Sequence, residues 1–469
     1  MKRIFISLIL SSYCFCLLAE SVSREEIHRQ AVMACMRIAE EDFSTKAYTI
    51  TPMLEEGDTC YYVVQFEPEG WALISADDRV QPLIGYSDKG LFQKDEAPEA
   101  ALFWLEKRAK EIQVIKSLKG LKRDKDWNYE SLRSESISEA IAPLIKVNWR
   151  QDMGFNKYCP LNDKGRKTLV GCVAVAMGQA MSVYQYPSRP KLKVSYNKED
   201  EVGWVEVDFD KEQPYDWEKI LSGADDNDEV ARLLYHCGVA VRTRYGADGS
   251  GAFTSEVREA LIHHFSYRSD SLKYYEKRRS EQLGPNSVIR YTISEEEWSR
   301  MILHELKQGR PLISALSLGY AIHALNVDGY DGINAFHLNW GWGGTSNGYY
   351  TLDELLGKDY QNDPLTQYER DRDLYAKIVI GMIPVEQSST DIESVAQSLE
   401  TPLQVVGSLL RLKSLEKGIC RVYDLSGALL QTAPVVAGDN EIPLKTKGLC
   451  ILSVDCKGKV ASHKIHVKE

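Results

Sequence analysis

The stretch that decides the fold of the middle of the chain is 171–181, GCVAVAMGQAM. Val173, Met177 and Ala180 recur three or four positions apart, which predicts one buried face of a helix. Pro187 cannot continue a helix, so we expect it to end there. The helix therefore begins next to a cysteine.

Cys172 occupies the first turn of this predicted helix. Backbone N–H groups are unpaired there, and the positive end of the helix dipole favours a thiolate over a thiol. The position suits a nucleophile. A buried core cysteine would explain it equally well, so a partner has to be found elsewhere in the chain.

Two alternating segments, HALNVDGYDG at 323–332 and AFHLNWGWGG at 335–344, supply that partner. Period-2 alternation predicts two strands, and Asp328 to Gly332 predicts the turn of a hairpin. His323 and Asn339 then lie near the same end of paired strands. A neutral imidazole can take the thiol proton and an amide can hold the ring.

Two roles have alternatives. His337 is a rival base in the same hairpin, but it shares a strand face with Asn339, and we interpret it as a structural histidine. Gln151 lies 21 residues before Cys172 (172 − 151) and is the candidate side-chain donor for an oxyanion, beside the backbone N–H of the cysteine. A surface glutamine is the other interpretation.

Three motifs together resemble the streptopain family of papain-like cysteine peptidases, which includes interpain-type enzymes: 171–181, His323-Ala324 with Asp328-Gly329, and HLNWGWGG at 337–344. The resemblance implies an α+β, papain-like fold. It also implies Cys172 as nucleophile, His323 as base and Gln151 at the oxyanion. Family enzymes are often described as Cys–His dyads, and Asn339, as the residue that orients the ring, would be a third member of the catalytic set.

The same resemblance implies a substrate cleft. Trp340 and Trp342 look like its aromatic wall, although a buried-core role competes for both. Gly251 closes a glycine-bearing loop, 246–251, that can bind an extended peptide through its backbone, and Ile322 adjoins the base. The loop departs from the family pattern, so the resemblance predicts no cleavage specificity.

The N-terminal part carries GWALISADDR at 70–79 and PLIGY at 82–86, which resemble the family's inhibitory propeptide. Strand-like alternation and flanking helical segments predict an α+β unit. The charged, aperiodic segment 119–138 is typical of an exposed, cleavable linker. The first 19 residues are basic and then apolar, which predicts a secretory signal peptide.

The C-terminal part, from 402 onward, alternates in short segments separated by turn residues, which predicts a small β-sandwich. VYDLSG at 422–427 and GDNEIPL at 438–444 resemble the C-terminal sorting domains of proteins exported by the type IX route. A plain β-sandwich binding module is the alternative.

Composition excludes several classes of function. The formal net charge is 57 − 68 = −11, which argues against a nucleic-acid binder. The ten cysteines form no CxxC pair, so neither a zinc site nor a redox motif is indicated. Spacing alone does not decide whether any two of them form a disulfide. The acyl-transfer chemistry requires no metal or organic cofactor.

These observations predict a secreted cysteine endopeptidase made as a zymogen. The expected domains are a signal peptide (1–19), an inhibitory propeptide (20–141), a papain-like catalytic domain (142–384), a linker (385–401) and a β-sandwich sorting domain (402–469). Expected partners are protein or peptide substrates, the chain's own propeptide and, through the sorting domain, the secretion machinery; a monomer is expected. The alternatives are an inactive papain-like binding protein or adhesin, and an amidase or transferase on the same fold.

Overall fold

The computed structural model forms two compact units, Met1–Phe265 with Ser269–Met382, and Ser266–Arg268 with Ile383–Glu469. The predicted signal peptide and all but the first residue of the predicted linker 385–401 lie outside the described residues. Among these, no helix is both long and apolar enough to cross a membrane. The structure describes residues 22–118, 120–128, 139–198, 201–223, 227–277, 279–282, 288–291, 293–317, 322–352, 376–385, 404–406, 408–414, 416–424, 429–456 and 459–467.

The N-terminal segment of the first unit is a four-stranded antiparallel sheet between two helices. Its elements are α1 (Arg24–Cys35), β1 (Tyr48–Glu55), β2 (Asp58–Phe66), β3 (Trp71–Ser75), β4 (Leu83–Ser87) and α2 (Glu99–Ser117). Every residue of β3 is buried because alternate side chains enter different cores. Trp71 and Leu73 pack with α2, while Ala72 and Ile74 pack with α1.

The start of the predicted linker belongs to this segment. Trp127 is fully buried, and its Nε1 donates to the carbonyl oxygen of Val80 at 2.7 Å. Arg123 forms ion pairs with Glu26 and Asp78. Five of the nine residues 120–128 are exposed, as expected of a linker, but Trp127 anchors this stretch to the N-terminal segment, which the charged composition does not predict. Residues 129–138 lie outside the described part of the chain.

The rest of the first unit continues the same sheet. Its helices are α3 (Cys172–Ser182), α4 (Trp217–Ile220), α5 (Asp228–Ala240), α6 (Ser255–His263) and α7 (Glu295–Lys307). Its strands are β5 (Lys193–Asn197), β6 (Trp204–Asp208), β7 (Lys273–Lys277), β8 (Arg279–Gln282), β9 (Val288–Tyr291), β10 (Leu312–Ser317), β11 (Ile322–Tyr330), β12 (Ala335–Asn339), β13 (Gly348–Thr351) and β14 (Ala376–Ile380).

Ten strands form one sheet in the order β1-β2-β3-β4-β13-β12-β11-β10-β14-β7. We call the junction of β4 with β13 the seam; there Tyr349 pairs with Tyr86 and Tyr350 with Gly85. A Cβ on Gly85 would lie 2.6 Å from the Tyr350 ring, and one on Gly348 would lie 2.7 Å from the Tyr86 carbonyl oxygen. Glycine on both sides lets the two strands approach, so the N-terminal segment and the domain that follows share a sheet.

The β11–β12 hairpin turns later than the sequence predicts. β11 runs through Tyr330, and the turn lies at 331–334 instead of 328–332. The Oδ1 atom of Asp331 accepts the N–H groups of Ile333, Asn334 and Ala335, each at 2.9 Å. This carboxylate satisfies three turn amides at once, so the turn forms around Asp331 and leaves Asp328 in the strand.

The second unit consists of two antiparallel sheets over one core. One sheet is β15 (Gln404–Val406), β16 (Leu409–Ser414) and β19 (Gly438–Pro443); the other is β18 (Leu429–Val435), β17 (Gly418–Tyr423), β20 (Gly448–Cys456) and β21 (Lys459–Val467). Leu410 and Leu412 of the first sheet and Val422 and Leu452 of the second belong to one buried cluster. The predicted α+β chain ending in a small β-sandwich is confirmed.

Candidate active site

Cys172 is the first residue of α3, as the sequence predicts. The residue before it, Gly171, has φ 93°, a conformation that favours glycine, and a Cβ there would lie 3.4 Å from the Ser250 carbonyl oxygen. The Cys172 Sγ accepts the backbone N–H of Ala324, from β11, at 3.4 Å. The thiol therefore lies between the N-terminus of α3 and the strand that carries His323.

The His323 ring is held on one side by a backbone carbonyl. Its Nε2 lies 3.0 Å from the carbonyl oxygen of Trp340. That contact engages Nε2 and leaves Nδ1 as the ring nitrogen available to the Cys172 thiol. The ring is buried, so bulk water does not compete for either nitrogen.

The electrostatics of this pair favour separated charge. Burial raises the pKa of the Cys172 thiol, but the hydrogen bond and the charge of His323, with the N–H groups of Ala324 and Val173, bring that pKa below its ordinary value. Burial lowers the pKa of His323, but the hydrogen bond to Cys172, its charge and the Trp340 carbonyl bring it above the ordinary value. A thiolate–imidazolium pair is the form that these interactions stabilise.

The structure corrects the role predicted for Asn339. Its Oδ1 accepts from Gln179 Nε2 at 3.2 Å and from the Gly341 N–H at 3.1 Å, and its Nδ2 donates to the Val147 carbonyl at 3.3 Å. None of these contacts reaches His323. The acceptor that orients the ring is the Trp340 carbonyl, a backbone atom, and Asn339 supports the turn from which that carbonyl projects.

Gln179 is a site residue that the sequence analysis missed. It is fully buried, its Nε2 donates to Asn339, and its Oε1 accepts from Asn326 Nδ2 at 3.2 Å. A signal for it existed, because Gln179 is the polar member of an otherwise apolar stretch and lies seven residues after Cys172. Two turns of helix place both on one face.

His337 is tied to a buried carboxylate. Its Nδ1 lies 2.6 Å from Asp328 Oδ1, and Asp328 Oδ2 accepts the Ile145 N–H at 2.9 Å. The structure thus gives His337 a partner other than the thiol, in keeping with its interpretation as a structural histidine.

Gln151 lies next to the segment that leads into α3. Its carbonyl oxygen accepts the Val170 N–H at 3.0 Å, two residues before the nucleophile. The Gln151 side chain is buried. An oxyanion site requires an amide donor next to the nucleophile, and that role of Gln151 stays a prediction.

Of the predicted substrate-binding residues, one lies in the core and three reach the surface. Trp340 is completely buried, so it belongs to the core and not to a substrate wall. Trp342 is half-buried, with the Arg150 guanidinium carbon 6.0 Å above its ring. Gly251 is exposed and pairs with Arg244 across its loop, and Ile322 is 48% exposed immediately before His323. Trp342, Gly251 and Ile322 thus keep a position in which they can meet a substrate.

The other ionisable groups that the structure describes lack the arrangement that a metal site needs. Among the described residues, no group of three or more His, Cys, Asp and Glu side chains could hold a metal ion. The cysteines that the structure describes as free thiols are Cys35, Cys60, Cys159, Cys172, Cys237, Cys420 and Cys450.

Comparison with known proteins gives this geometry a context. Residues 19–112 match the family described as Spi protease inhibitor. The chain is 29% identical over 377 residues to the thiol protease/hemagglutinin PrtT of Porphyromonas gingivalis, an alignment that covers 76% of this chain and 41% of that protein. It is 25% identical over 314 residues to streptopain of Streptococcus pyogenes, covering 63% of this chain and 74% of that protein.

A solved structure agrees with both the domain order and the fold. A fragment of Prevotella intermedia prointerpain A superimposes with a TM-score of 0.54 at 26% identity, covering 72% of this chain and 99% of the fragment. The family described as Peptidase C10 matches residues 149–350, which hold Gln151, Cys172 and His323. Residues 149–350 of the chain are therefore similar to the Peptidase C10 family, and they follow a segment similar to the Spi protease inhibitor family.

Proposed function

We propose that this chain is the precursor of a cysteine endopeptidase that its N-terminal segment keeps latent. The observation that carries the proposal is the Cys172–His323 pair, whose thiol has a lowered pKa and whose imidazole has a raised one. The alignment spans about two fifths of the Porphyromonas gingivalis relative, so the proposal for this chain does not include every activity of that larger protein.

The mechanism follows from the positions of these groups. The Cys172 thiolate attacks a peptide carbonyl carbon, and the resulting oxyanion receives the Cys172 N–H and the Gln151 amide. His323 gives its proton to the leaving amine, the C–N bond breaks, and a thioester remains. His323 then takes a proton from water, the hydroxide attacks the thioester, and the thiolate and the peptide acid separate.

Latency follows from the contacts of the N-terminal segment. This segment extends the catalytic sheet at the seam and adds a buried cluster that we call the latch: Arg37 and Tyr86 from the segment, and Asp331 from the β11–β12 turn. Arg37 Nη1 lies 2.8 Å from Asp331 Oδ2, and the Tyr86 hydroxyl donates to the same oxygen at 3.1 Å. Removing the segment has to break both the seam and the latch.

Export is the part of the proposal that rests on sequence motifs. Residues 1–19 act as a cleaved secretory signal, and the β-sandwich from 402 onward directs the protein to the secretion machinery, so that a monomeric enzyme reaches the cell surface or the medium. Deleting 402–469 in the native host and assaying cells and medium separately tests this step. Unchanged release of the truncated protein would remove the sorting role.

The experiment that tests the activity compares the purified full chain with Cys172→Ala and Cys237→Ala. Cys237 is a buried free thiol in α5, so its alanine variant controls for the loss of a thiol as such. Each protein is incubated with casein and a thiol-directed epoxide, and both labelling and chain size are followed. We expect wild type and Cys237→Ala to mature, label at Cys172 and degrade casein, and Cys172→Ala to do none of these.

The other outcomes separate the alternatives. Labelling at Cys172 without peptide cleavage would favour an amidase or a transferase, because both form the same acyl-enzyme. If the protein neither labels nor cleaves after its N-terminal segment is removed by an added protease, the peptidase proposal is wrong and the inactive binding protein takes its place.

A further inference from the structure

Three amide side chains form a buried chain of hydrogen bonds behind the reacting pair. Gln179, Asn326 and Asn339 lie on α3, β11 and β12 respectively, and at most 2% of each is exposed. Asn326 Nδ2 donates to Gln179 Oε1 at 3.2 Å, and Gln179 Nε2 donates to Asn339 Oδ1 at 3.2 Å. The three elements joined in this way are those that carry Cys172, His323 and the turn at Trp340.

The network ends on the peptide unit that holds His323. Asn339 Oδ1 accepts a hydrogen bond from Gln179 and a second one from the Gly341 N–H, at 3.1 Å. The second bond closes a short loop around Trp340, the residue between Asn339 and Gly341. Gly341 has φ 68°, and its N–H cannot turn toward another acceptor without moving this loop. The carbonyl of Trp340, fixed inside that loop, accepts from His323 Nε2 at 3.0 Å.

A ring held by a carbonyl needs that carbonyl to stay in place. A backbone oxygen at a glycine-containing turn has soft dihedrals on both sides, so its direction depends on the groups that anchor the neighbouring amides. Within the described residues, Gln179 is the side chain that forms hydrogen bonds with both other members of the network. It also lies on the helix that begins at Cys172, so it couples the position of the base to that of the nucleophile.

We propose that Gln179 is a positioning residue for His323, acting through Asn339 and the Trp340 carbonyl to keep the imidazole in line with Cys172. This inference rests on the proposed peptidase function and deepens it. Gln179 touches no reacting atom, and its effect is on geometry. A misplacement of about 1 Å in a reacting group costs on the order of 10²-fold in rate, so the loss of this anchor is measurable.

Two of the groups that raise the pKa of His323 are themselves titratable. They are Cys172, in direct contact, and Glu99 at the start of α2, which lies on the N-terminal segment and leaves with it. In the matured enzyme the contribution of Glu99 is lost and that of the Cys172 thiol remains. A change at the uncharged Gln179 therefore reaches the pH profile through position alone.

The test uses three variants of the full chain, matured and compared with wild type. Gln179→Met keeps the volume and removes every hydrogen bond. Gln179→Glu keeps an acceptor for Asn326 and, when protonated, a donor for Asn339. Ser182→Ala is the matched control, since Ser182 is buried on the same helix and its hydroxyl donates to the backbone carbonyl of Gln179, at 2.6 Å, and not to the side-chain network.

We expect Gln179→Met to lower kcat by about 10²-fold while KM stays within about twofold, because alignment and not binding is lost. The bell-shaped dependence of its activity on pH becomes narrower on both sides. On the alkaline side the displaced Trp340 carbonyl no longer stabilises charged His323, and on the acid side the displaced imidazolium no longer stabilises the Cys172 thiolate. Burial raises the pKa of a carboxyl, so Gln179→Glu recovers relative to wild type as the pH falls and its donor returns. Ser182→Ala matches wild type.

Two results would overturn the inference: a kcat for Gln179→Met within about threefold of wild type, or identical pH profiles for the Met and Glu variants. If Gln179→Met does not fold, Gln179→Glu decides alone, since a deficit that does not change with pH contradicts the model. If wild type cleaves no peptide, the proposed function fails, and the same comparison is made from the pH dependence of Cys172 alkylation by iodoacetamide.

Discussion

Arg37 forms the buried contact whose loss we expect to weaken latency most. Its Nη1 lies 2.8 Å from Asp331 Oδ2 and 3.1 Å from Asn334 Oδ1, and the side chains of the ion pair are 10% and 0% exposed. Replacing Arg37 by Met keeps much of the aliphatic stem and removes the charge. In the closed precursor, Asp331 would then be a buried carboxylate that has lost its cation.

The expected loss of affinity can be worked out from the burial of the Arg37–Asp331 ion pair. Removing one partner of a buried ion pair costs about 3–5 kcal/mol. When the N-terminal segment leaves, both Arg37 and Asp331 gain water, so the cost falls on the closed state alone. At about 1.4 kcal/mol per tenfold, the affinity of the segment for the catalytic domain drops by about 10²- to 10⁴-fold.

The assay uses the Cys172→Ala background, which prevents self-digestion, with a site for a sequence-specific protease placed in 129–138. After cleavage, the dissociation constant of the N-terminal segment is measured by calorimetry. Lys110→Met is the matched control, because its ion pair with Glu106 lies on the surface of α2 at 2.6 Å and such pairs contribute about 0–1 kcal/mol. Equal, small effects of the two substitutions would refute the assignment of latency to the latch.

Three further predictions concern the pair, the seam and the N-terminal segment. The rate of Cys172 alkylation, followed against pH, will have a midpoint below that of an ordinary thiol in wild type and above it in His323→Ala. Burial raises the pKa of the thiol, and in the variant no imidazolium opposes it. The same midpoint in both proteins would contradict the ion pair. Gly348→Ala will speed maturation and leave the matured enzyme's kcat/KM unchanged, because the atoms nearest its Cβ would belong to Tyr86 and Trp71 of the N-terminal segment, at 2.7 and 2.8 Å; slower maturation would argue against the seam. Trp127→Ala will destabilise the Cys172→Ala precursor by about 3–5 kcal/mol in denaturant unfolding, whereas Trp204→Ala, at a 73% exposed tryptophan, will have little effect; similar losses from both would show that Trp127 is no anchor.

Much of the site is visible in the sequence because it depends on residue type and local spacing. A cysteine before an apolar helical period predicts the nucleophile at the N-terminus of α3. Alternation around a turn predicts the hairpin that carries His323. Both signals are local, and the structure has both elements, with the turn shifted to the place where Asp331 can accept three amides.

The parts that the sequence does not reveal depend on long-range geometry or on the backbone. The acceptor for His323 Nε2 is a carbonyl oxygen, which every residue carries, so the sequence points to the nearest amide side chain, Asn339, instead. Trp340 looks like a cleft aromatic until its burial is known. The pairing of Tyr86 with Tyr349 joins positions more than 260 residues apart (349 − 86 = 263), and no local pattern predicts it.

The seam also determines what maturation does to the surface. While the N-terminal segment is present, β13 lies in the interior of a ten-stranded sheet; once the segment departs, β13 becomes an edge with backbone N–H and C=O groups facing solvent. Exposed edges invite pairing with foreign strands, and short edges limit it. At four residues, Gly348–Thr351 offers a short ladder. The new edge is therefore too short to pair extensively with other chains, whereas a longer exposed strand would make the matured protein prone to aggregate.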